Sequence, residues 1–283
     1  MNLALPTEGL ERYKNPSQRA RVSTEPWGLA NLYCPACDSP RIESLPTNTP
    51  AHDFKCPECL EWFQLKSQKH AIGKTMSDGA YSKMAEAIRQ DRTPNLFALH
   101  YDAGAWSVRN LVLVPRFTYT LSVIRCRKAL SPNAERHGWV GCSIVLGEIP
   151  PEAKIPVIVD GNVRPQAEIR SQFQKLLKLG QKSVEARGWT LDVLNLVHSL
   201  GKREFSLQEV YEFEDELARL HPANRNVEPK IRQQLQELRN MGLLEFLRPG
   251  QYRLAGGEPL TAEKHSGGTA TKPEITSRRT GHA

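Results

Sequence analysis

Two cysteine pairs constrain this chain more than any other feature of its sequence. Cys34 and Cys37 form one C-x₂-C knuckle, Cys56 and Cys59 form a second, and eighteen residues separate the two pairs. Two such knuckles supply the four thiolates of a closed tetrahedral zinc site, which is structural because no coordination position stays open. The alternative, two disulfides, requires an oxidising compartment, and no secretory signal is recognised in the sequence. We therefore predict structural Zn²⁺ at these four cysteines.

The second knuckle lies in the turn of a predicted β-hairpin, whose returning strand is residues 62–67. Side chains alternate between the faces of a strand, so Gln64 and Lys66 share one face while Leu65 takes the other. Asp53, in the first strand of the hairpin, is then expected beside Gln64 and Lys66. The hairpin would present one apolar face and one polar face.

An acid, a second oxygen ligand and a lysine on adjacent strands are typical of a metal-dependent phosphodiesterase. The oxygens hold Mg²⁺, which acts as a Lewis acid on the scissile phosphate, and the lysine orients or deprotonates the attacking water. Asp53, Gln64 and Lys66 fit these roles. The same pattern is compatible with an ordinary solvated strand face, and the three residues alone leave that alternative open.

The remaining pattern up to residue 183 predicts a mixed sheet flanked by helices, the α/β class. Strands are predicted at residues 95–101, 106–114, 142–146 and 155–159. Helices are predicted at residues 17–33, 77–90 and 165–182. Within the first helix Pro26 is expected in a first turn or at a break, and Ser77 or Asp78 is expected to cap the second.

From residue 184 the pattern changes to that of a winged helix-turn-helix domain. Helices are predicted at residues 189–200, 206–220 and 229–241, followed by a β-hairpin over residues 243–254. Ser206 and Glu209 form a capping box at the start of the second helix. The third helix is the one that would enter the major groove of DNA.

The third helix has one apolar and one polar side. Ile231, Leu235 and Leu238 fall together and are expected to face the core. The opposite side carries candidate DNA-binding residues, namely Arg232, Gln233, Gln236 and Asn240. Amide side chains can bind adenine through two hydrogen bonds, and arginines can hold phosphate, for which the candidates are Arg232, Arg239, Arg248 and Arg253. A solvated helix face looks equally polar, and this alternative stays open.

Composition agrees with a nucleic-acid partner and argues against a membrane protein. The chain has 283 residues and a formal net charge of +7, which suits a polyanion. No apolar run approaches the roughly 20 residues of a membrane span, so we expect a soluble, cytoplasmic protein. Residues 255–283 are polar and are expected to form a disordered tail.

Trp139 is a further candidate DNA-binding residue. It lies in the segment Gly138-Trp139-Val140-Gly141, at the end of a basic, irregular stretch. An exposed apolar side chain in such a place can wedge into the duplex. The alternative is an ordinary core aromatic.

Together these segments resemble the DpnI-like, methyl-directed restriction endonucleases. The resemblance runs from about Tyr13 to Leu254 and is carried by the segments CPAC, HDFKCPECLEWFQLKS, SDGAY, GWVGC, RGWT and IRQQLQ. It implies a PD-(D/E)XK nuclease domain with an inserted zinc site over residues 1–183, a winged-helix domain over 184–254 and a tail over 255–283.

The resemblance also implies an activity. Such enzymes make double-strand cuts in DNA at GATC sites whose adenine carries an N6-methyl group, and they need no partner methyltransferase. Carried over by position, Asp53, Gln64 and the carbonyl of Leu65 would bind Mg²⁺, and Lys66 is the catalytic lysine. We expect a monomeric enzyme with no membrane association.

One residue departs from the family pattern, which has an acid where this chain has Gln64. An amide oxygen can bind Mg²⁺ but brings no charge, so the affinity for the metal should be lower. Glu61 is not expected to substitute for the missing acid, because its offset in the strand places it on the other face. A non-catalytic winged-helix binder of methylated DNA is thus an alternative, and a methylation-independent nuclease is another. Asp53 and Lys66 favour the enzyme, because a binding protein has no physical need for them.

Overall fold

The computed structural model describes residues 1–46 and 52–255. Up to residue 163 its strands are, in chain order, β1 (Glu43–Ser44), β2 (Phe54–Lys55), β3 (Trp62–Gln68), β4 (Met76–Ala80), β5 (Asn95–Asp102), β6 (Ser107–Val114), β7 (Ile124–Cys126), β8 (Gly141–Ile144), β9 (Ile155–Val159) and β10 (Asn162–Val163). The α-helices of this part are α1 (Pro16–Asn31), α2 (Tyr81–Arg89) and α3 (Gln166–Gly180).

Two sheets organise this part of the chain. The larger has the strand order β1-β2-β3-β5-β6-β9-β10. Its β3–β5 pair is parallel and its other pairs are antiparallel, so the sheet is mixed, as predicted. The smaller sheet has the order β4-β8-β7. The strands predicted at 95–101, 106–114 and 155–159 are confirmed by β5, β6 and β9.

Helix α1 crosses the hairpin formed by β2 and β3, and a glycine makes this close approach possible. A Cβ atom at Gly28 would lie 3.0 Å from the Cζ of Phe54 and 3.1 Å from the Cδ2 of Leu65. Pro26 lies inside α1, so its predicted place in a first turn or at a break was wrong. The Asn15 side chain, which accepts a hydrogen bond from the Ser17 amide at 2.8 Å, caps the helix instead.

The second helix begins later than predicted. Residues 76–80 form strand β4, which pairs with β8, and α2 begins at Tyr81 with no side-chain cap from Ser77 or Asp78. The Ser-Asp-Gly sequence is typical of a helix start, but here its main chain is extended by pairing with a strand that lies far away in the sequence.

The C-terminal part consists of helices around a three-stranded wing. Its elements are α4 (Val184–Ser199), β11 (Glu204–Ser206), α5 (Leu207–Tyr211), α6 (Glu214–Leu220), α7 (Val227–Asn240), β12 (Leu244–Arg248) and β13 (Gln251–Leu254). The wing has the order β11-β13-β12. The capping box of Ser206 and Glu209 is present as predicted. This region is the helix-turn-helix domain expected from the sequence.

Three details of this region differ from the prediction. Helix α4 begins five residues earlier, because the Ser183 hydroxyl accepts a hydrogen bond from the Ala186 amide at 3.2 Å and caps it. The predicted helix over 206–220 is two helices with a bend at Phe213, whose side chain packs against the core. Strand β11 was not predicted.

No helix in the described ranges is long and apolar enough to cross a membrane. Apart from Ala255, the predicted disordered tail lies outside the described residues.

Candidate active site and DNA interface

The predicted hairpin forms and brings its polar residues together. β2 and β3 are antiparallel, with Phe54 opposite Phe63. The Asp53 amide donates a hydrogen bond to the Phe63 carbonyl at 2.9 Å, which extends the pairing to Asp53. The Asp53 carboxylate accepts a hydrogen bond from the Leu65 amide at 2.8 Å. Asp53 is thereby fixed against the strand that carries Gln64 and Lys66.

The side chains of β3 alternate between a buried and a more exposed face, as predicted. Phe63 and Leu65 are buried, whereas the side chain of Trp62 is exposed and those of Gln64 and Lys66 are half-buried. Asp53, Gln64, Leu65 and Lys66 all line one open cleft of about 1180 Å³. Further polar residues of its lining are Arg21, Thr24, Glu25, Ser67, Lys69, His70 and Arg136.

The cleft combines few carboxylates with several cations. Among the described residues that line it, the carboxylates are Asp53 and Glu25, and Glu25 is bonded to Arg21 at 2.6 Å. Lys69 and Arg136 add positive charge at the same opening. Such a positively charged lining suits the binding of a phosphate backbone. Arg21, Glu25 and Arg136 were missed, because they come from segments far from the hairpin in sequence.

Burial sets the proton affinity of Asp53. Burial raises the pKa of the Asp53 carboxyl, and the Leu65 amide and the Lys66 ammonium offset part of this effect. A bound cation would favour the ionised carboxylate for the same Coulombic reason as Lys66 does.

The Gln64 side chain lines this cleft. Within residues 1–46 and 52–255 its side chain makes no hydrogen bond, so its oxygen is available to a ligand. Glu61 does not line the cleft. It accepts hydrogen bonds from Arg116 at 3.2 Å and from Asn95 at 2.8 Å, so the structure agrees with the prediction that Glu61 does not replace the missing acid.

Lys66 has a partner that was not predicted. Its ammonium lies 2.6 Å from the Asp78 carboxylate, and the Asp78 side chain is only 9% exposed. Asp78 was interpreted as a possible helix cap, and the pairing of β4 with β8 shows instead that it lies in a strand. The sequence pattern Ser77-Asp78-Gly79 concealed this role because it is typical of helix starts.

The four predicted zinc ligands form one cluster. Their sulfur atoms all lie within 4.8 Å of one another, with Cys34 and Cys59 at 3.5 Å and Cys37 and Cys56 at 3.6 Å. A tetrahedral Zn²⁺ with Zn–S bonds of about 2.3 Å separates its sulfurs by about 3.8 Å. None of these cysteines is in a disulfide. The cluster can hold a zinc ion.

The proton affinities of the thiols differ within the cluster. Burial raises the pKa of Cys34, and it raises the pKa of Cys59 to about 11. Burial also acts on Cys56, but hydrogen bonds from the backbone of Cys59 and Glu58 prevail and lower its pKa to about 7. Because metal-bound cysteines are thiolates, binding of Zn²⁺ here must release protons.

Trp139 is half-buried, neither exposed as predicted nor part of the core. A Cβ atom at Gly141 would lie 2.9 Å from the Cζ3 of Trp139, so this glycine leaves room for the ring. The loop before Trp139 is closed by a hydrogen bond from the Leu130 amide to the Trp139 carbonyl at 3.0 Å. Arg136 of this loop lines the candidate cleft, whereas Trp139 is not part of its lining.

Helix α7 has the two predicted sides. Ile231, Leu235 and Leu238 are fully buried. The candidate DNA-binding residues lie on the outer side, where Arg232, Gln233 and Asn240 are exposed and Gln236 is half-buried. The Gln236 amide donates to the Asn240 side-chain oxygen at 3.0 Å.

The candidate arginines of this region differ in their partners. Arg232 lies over the Tyr211 ring and bonds its hydroxyl, and Arg239 lies over the Phe246 ring. Arg248 is exposed at the end of β12. Arg253 is bonded to Glu204 at 2.8 Å and lies 3.5 Å from Glu245, and its role in holding phosphate stays a prediction.

Helix α4 is joined to the β2–β3 hairpin region by a chain of ion pairs that begins at a buried arginine. Arg187, which is 1% exposed, pairs with Asp91, and Asp91 also accepts a hydrogen bond from Arg116 at 3.2 Å. Arg116 in turn bonds Glu61, which immediately precedes β3. This chain of ion pairs was not predicted, because an arginine in the first turn of a helix normally reaches into solvent.

Comparison with known families covers nearly all of this structure. Residues 1–182 match the family described as DpnI, Dam-replacing family, and residues 185–254 match the domain described as DpnI_C, Dam-replacing HTH domain. The first match includes the cysteine cluster and the β2–β3 hairpin, and the second includes α7 and the wing. The chain therefore belongs to the DpnI, Dam-replacing family of restriction enzymes.

Proposed function

We propose that this protein is a Mg²⁺-dependent endonuclease that makes double-strand cuts in DNA at GATC sites whose adenine is N6-methylated. The observation that carries this proposal is the meeting of Asp53, Gln64 and Lys66 in one cationic cleft. Membership of a restriction-enzyme family with a helix-turn-helix domain supports it.

The cleft offers the donor set that Mg²⁺ prefers, since Mg²⁺ binds oxygen ligands. The Asp53 carboxylate, the Gln64 amide oxygen and the Leu65 carbonyl would hold the ion. When bound, Mg²⁺ supplies a Lewis acid at the scissile phosphate. The Gln64 amide has no other partner among the described residues, which leaves its oxygen for this role.

Lys66 acts beside this oxygen set. Its ammonium has three donors on a compact charge, and Asp78 holds it at 2.6 Å. From this position it orients the attacking water and stabilises negative charge on the phosphoryl oxygens. Lys69 and Arg136 hold the neighbouring backbone phosphates.

Recognition rests on α7 and on the loop that ends at Trp139. N6-methyladenine keeps one N–H donor and the N7 acceptor in the major groove, which an amide side chain can bind. Gln233, Gln236 and Asn240 present such amides, while Arg232 and Arg248 contact phosphate. Trp139 supplies an apolar surface for the duplex near the cleavage site.

The test is a digest of one plasmid, prepared with and without adenine methylation at GATC, across a titration of Mg²⁺. We expect discrete fragments from the methylated plasmid alone and none without Mg²⁺. The Lys66→Ala variant, purified in the same way, controls for contaminating nucleases.

The other outcomes identify the alternatives. Cleavage of both plasmids would contradict methyl dependence and leave a nuclease of the same fold. Retarded migration of methylated DNA without cleavage at any Mg²⁺ concentration would indicate a non-catalytic binding protein, the alternative that the uncharged Gln64 favours. We propose that the active form is a monomer, which sedimentation on methylated DNA can check.

A further inference from the structure

We propose that Asp78 is a positioning residue that holds the Lys66 ammonium in the cleft. This inference rests on the proposed nuclease function for its consequence, but the ion pair itself can be tested without any cleavage assay. Asp78 belongs to β4 of the smaller sheet, whereas Lys66 belongs to β3 of the larger sheet. The pair therefore joins two separate sheets at the catalytic residue.

The geometry of the pair is that of a strong, charge-assisted hydrogen bond. Lys66 Nζ lies 2.6 Å from Asp78 Oδ1, with side-chain exposures of 26% and 9%. A lysine side chain has four rotatable bonds, so without a partner its ammonium samples many positions. Within the described part of the chain, Lys66 is the cation with which Asp78 pairs.

Asp78 is itself held firmly, which a positioning residue requires. It stands opposite Cys142 in the β4–β8 pair, and Met76 of the same strand is buried. Its charge adds to burial in raising the pKa of the fully buried Tyr119 and of Cys142, so Asp78 lies against two groups that stay neutral. The Lys66 ammonium thus balances the charge of the Asp78 carboxylate.

The position of Lys66 between two acids explains why the pair serves the site. The Lys66 ammonium acts on Asp53 as well, where it lowers the pKa of the carboxyl. A divalent cation held by Asp53 would repel that ammonium and compete for the same carboxylate. The Asp78 carboxylate opposes this repulsion and keeps Lys66 beside the scissile phosphate. A purely structural ion pair would not need to line the cleft, as Lys66 does.

The first measurement is the reactivity of Lys66 toward an acetylating N-hydroxysuccinimide ester, read by mass spectrometry. Lys83, whose side chain is 81% exposed, serves as the internal reference. In Asp78→Asn we expect the ratio of Lys66 to Lys83 labelling to rise several-fold. The matched control is Asp160→Asn, an exposed residue at the opposite edge of the larger sheet, where the ratio should not change. An unchanged ratio in Asp78→Asn would overturn the proposal.

The second measurement is single-turnover cleavage of methylated DNA at saturating enzyme and Mg²⁺. We expect Asp78→Asn to slow cleavage on the order of tenfold to a hundredfold, the cost of a misplaced catalytic group, with unchanged DNA affinity. Asp78→Glu should recover part of the rate. In the Lys66→Ala variant, the further substitution Asp78→Asn should not lower the residual cleavage rate. A structural defect caused by Asp78→Asn would instead lower this residual rate by the same factor as in the wild type.

The labelling and cleavage measurements together distinguish a failure of this inference from a failure of the proposed function. If the wild type cleaves no DNA, the proposed function fails, while the labelling ratio still decides whether Asp78 holds Lys66. If Asp78→Asn does not fold, as judged by circular dichroism, Asp78→Glu carries both measurements, because its added methylene displaces the ammonium. Full wild-type rate and labelling in Asp78→Glu would then contradict the proposal.

Discussion

The candidate catalytic cleft and the outer face of α7 are built on different principles. The cleft draws its polar side chains from α1, the β2–β3 hairpin, β5 and the loop before Trp139. Two of its central residues already have protein partners, since Asp53 is bonded to Leu65 and Lys66 to Asp78. The face of α7 comes from one helix, on which the Gln236 amide donates a hydrogen bond to the neighbouring Asn240. The side chains of Asp53 and Lys66 are therefore held in place without DNA. The side-chain amides of Gln236 and Asn240, in contrast, can exchange the hydrogen bond between them for hydrogen bonds to bases.

Removal of zinc should have the largest effect on the candidate cleft and little effect on α7, because two of the four clustered cysteines lie between β2 and β3 and none lies in α7. A structural zinc site of four thiolates contributes about 10 kcal/mol or more to folding in small domains. We expect Cys37→Ser with Cys56→Ser to abolish cleavage and metal content while weak DNA binding through the C-terminal part persists. Zinc content by plasma emission and gel retardation measure the two effects.

Cys126→Ser is the matched control for this pair of substitutions. Cys126 is exposed and lies outside the cluster, so its variant should keep zinc, cleavage and binding. Full cleavage by the zinc-free protein would show that the hairpin does not depend on the metal.

Asp53→Asn should have the next largest effect, and it should separate cleavage from binding. The substitution removes the acid that would hold Mg²⁺, and the loss of metal catalysis should slow cleavage about a thousandfold. Affinity for methylated DNA, measured in Ca²⁺ by fluorescence anisotropy, should change little because α7 is untouched. Asp160→Asn, at the far edge of the sheet, should cleave like the wild type. A parallel loss of binding would mean that Asp53 supports the fold.

The same contrast explains which parts were predictable from sequence. The side chains of α7 repeat with the helical period, so the burial of Ile231 and Leu235 and the exposure of Gln233 followed from spacing alone. The alternation of β3 likewise placed Gln64 with Lys66. Periodicity reports which way a residue faces relative to its own element, and at this level the prediction succeeded.

Partners that come from distant segments were not predictable. Asp78 meets Lys66 only because β4 pairs with β8, a contact across more than sixty residues that no local pattern encodes. The buried Arg187, which reaches Asp91, was missed for the same reason. A local rule even misled, since Ser77-Asp78-Gly79 favours a helix start in isolation. Tertiary pairing decided these positions.

Gln236→Ala should have a moderate effect, and it should lower DNA affinity and spare the cleavage rate, whereas Asp53→Asn should do the reverse. Loss of a bidentate amide contact to adenine costs about 1–3 kcal/mol, so affinity for methylated GATC should fall on the order of tenfold to a hundredfold. The single-turnover rate at saturating enzyme should stay near that of the wild type. The neighbouring Glu237→Gln is a useful control, since Glu237 is bonded to Lys182 at 2.9 Å on the side that faces α3. An equal loss of affinity in both variants would indicate a general disturbance of α7.

Gln64→Glu should have the smallest effect of these substitutions, and it is the only one expected to strengthen the binding of Mg²⁺. The Gln64 oxygen lines the cleft with Asp53 and has no partner among the described residues, so a carboxylate at this position would face the cation directly. Because added ligand charge strengthens the binding of hard cations, we expect the Mg²⁺ concentration for half-maximal cleavage to fall about tenfold. The maximal rate and DNA affinity should change little, because Lys66 and α7 are unaltered. Gln68→Glu, on the same strand two residues beyond Lys66, adds the same charge as a control, since the Gln68 amide is bonded to the Ala71 carbonyl at 2.8 Å. A similar gain from Gln68→Glu would mean that net charge in the cleft, and not a ligand at residue 64, limits the binding of Mg²⁺.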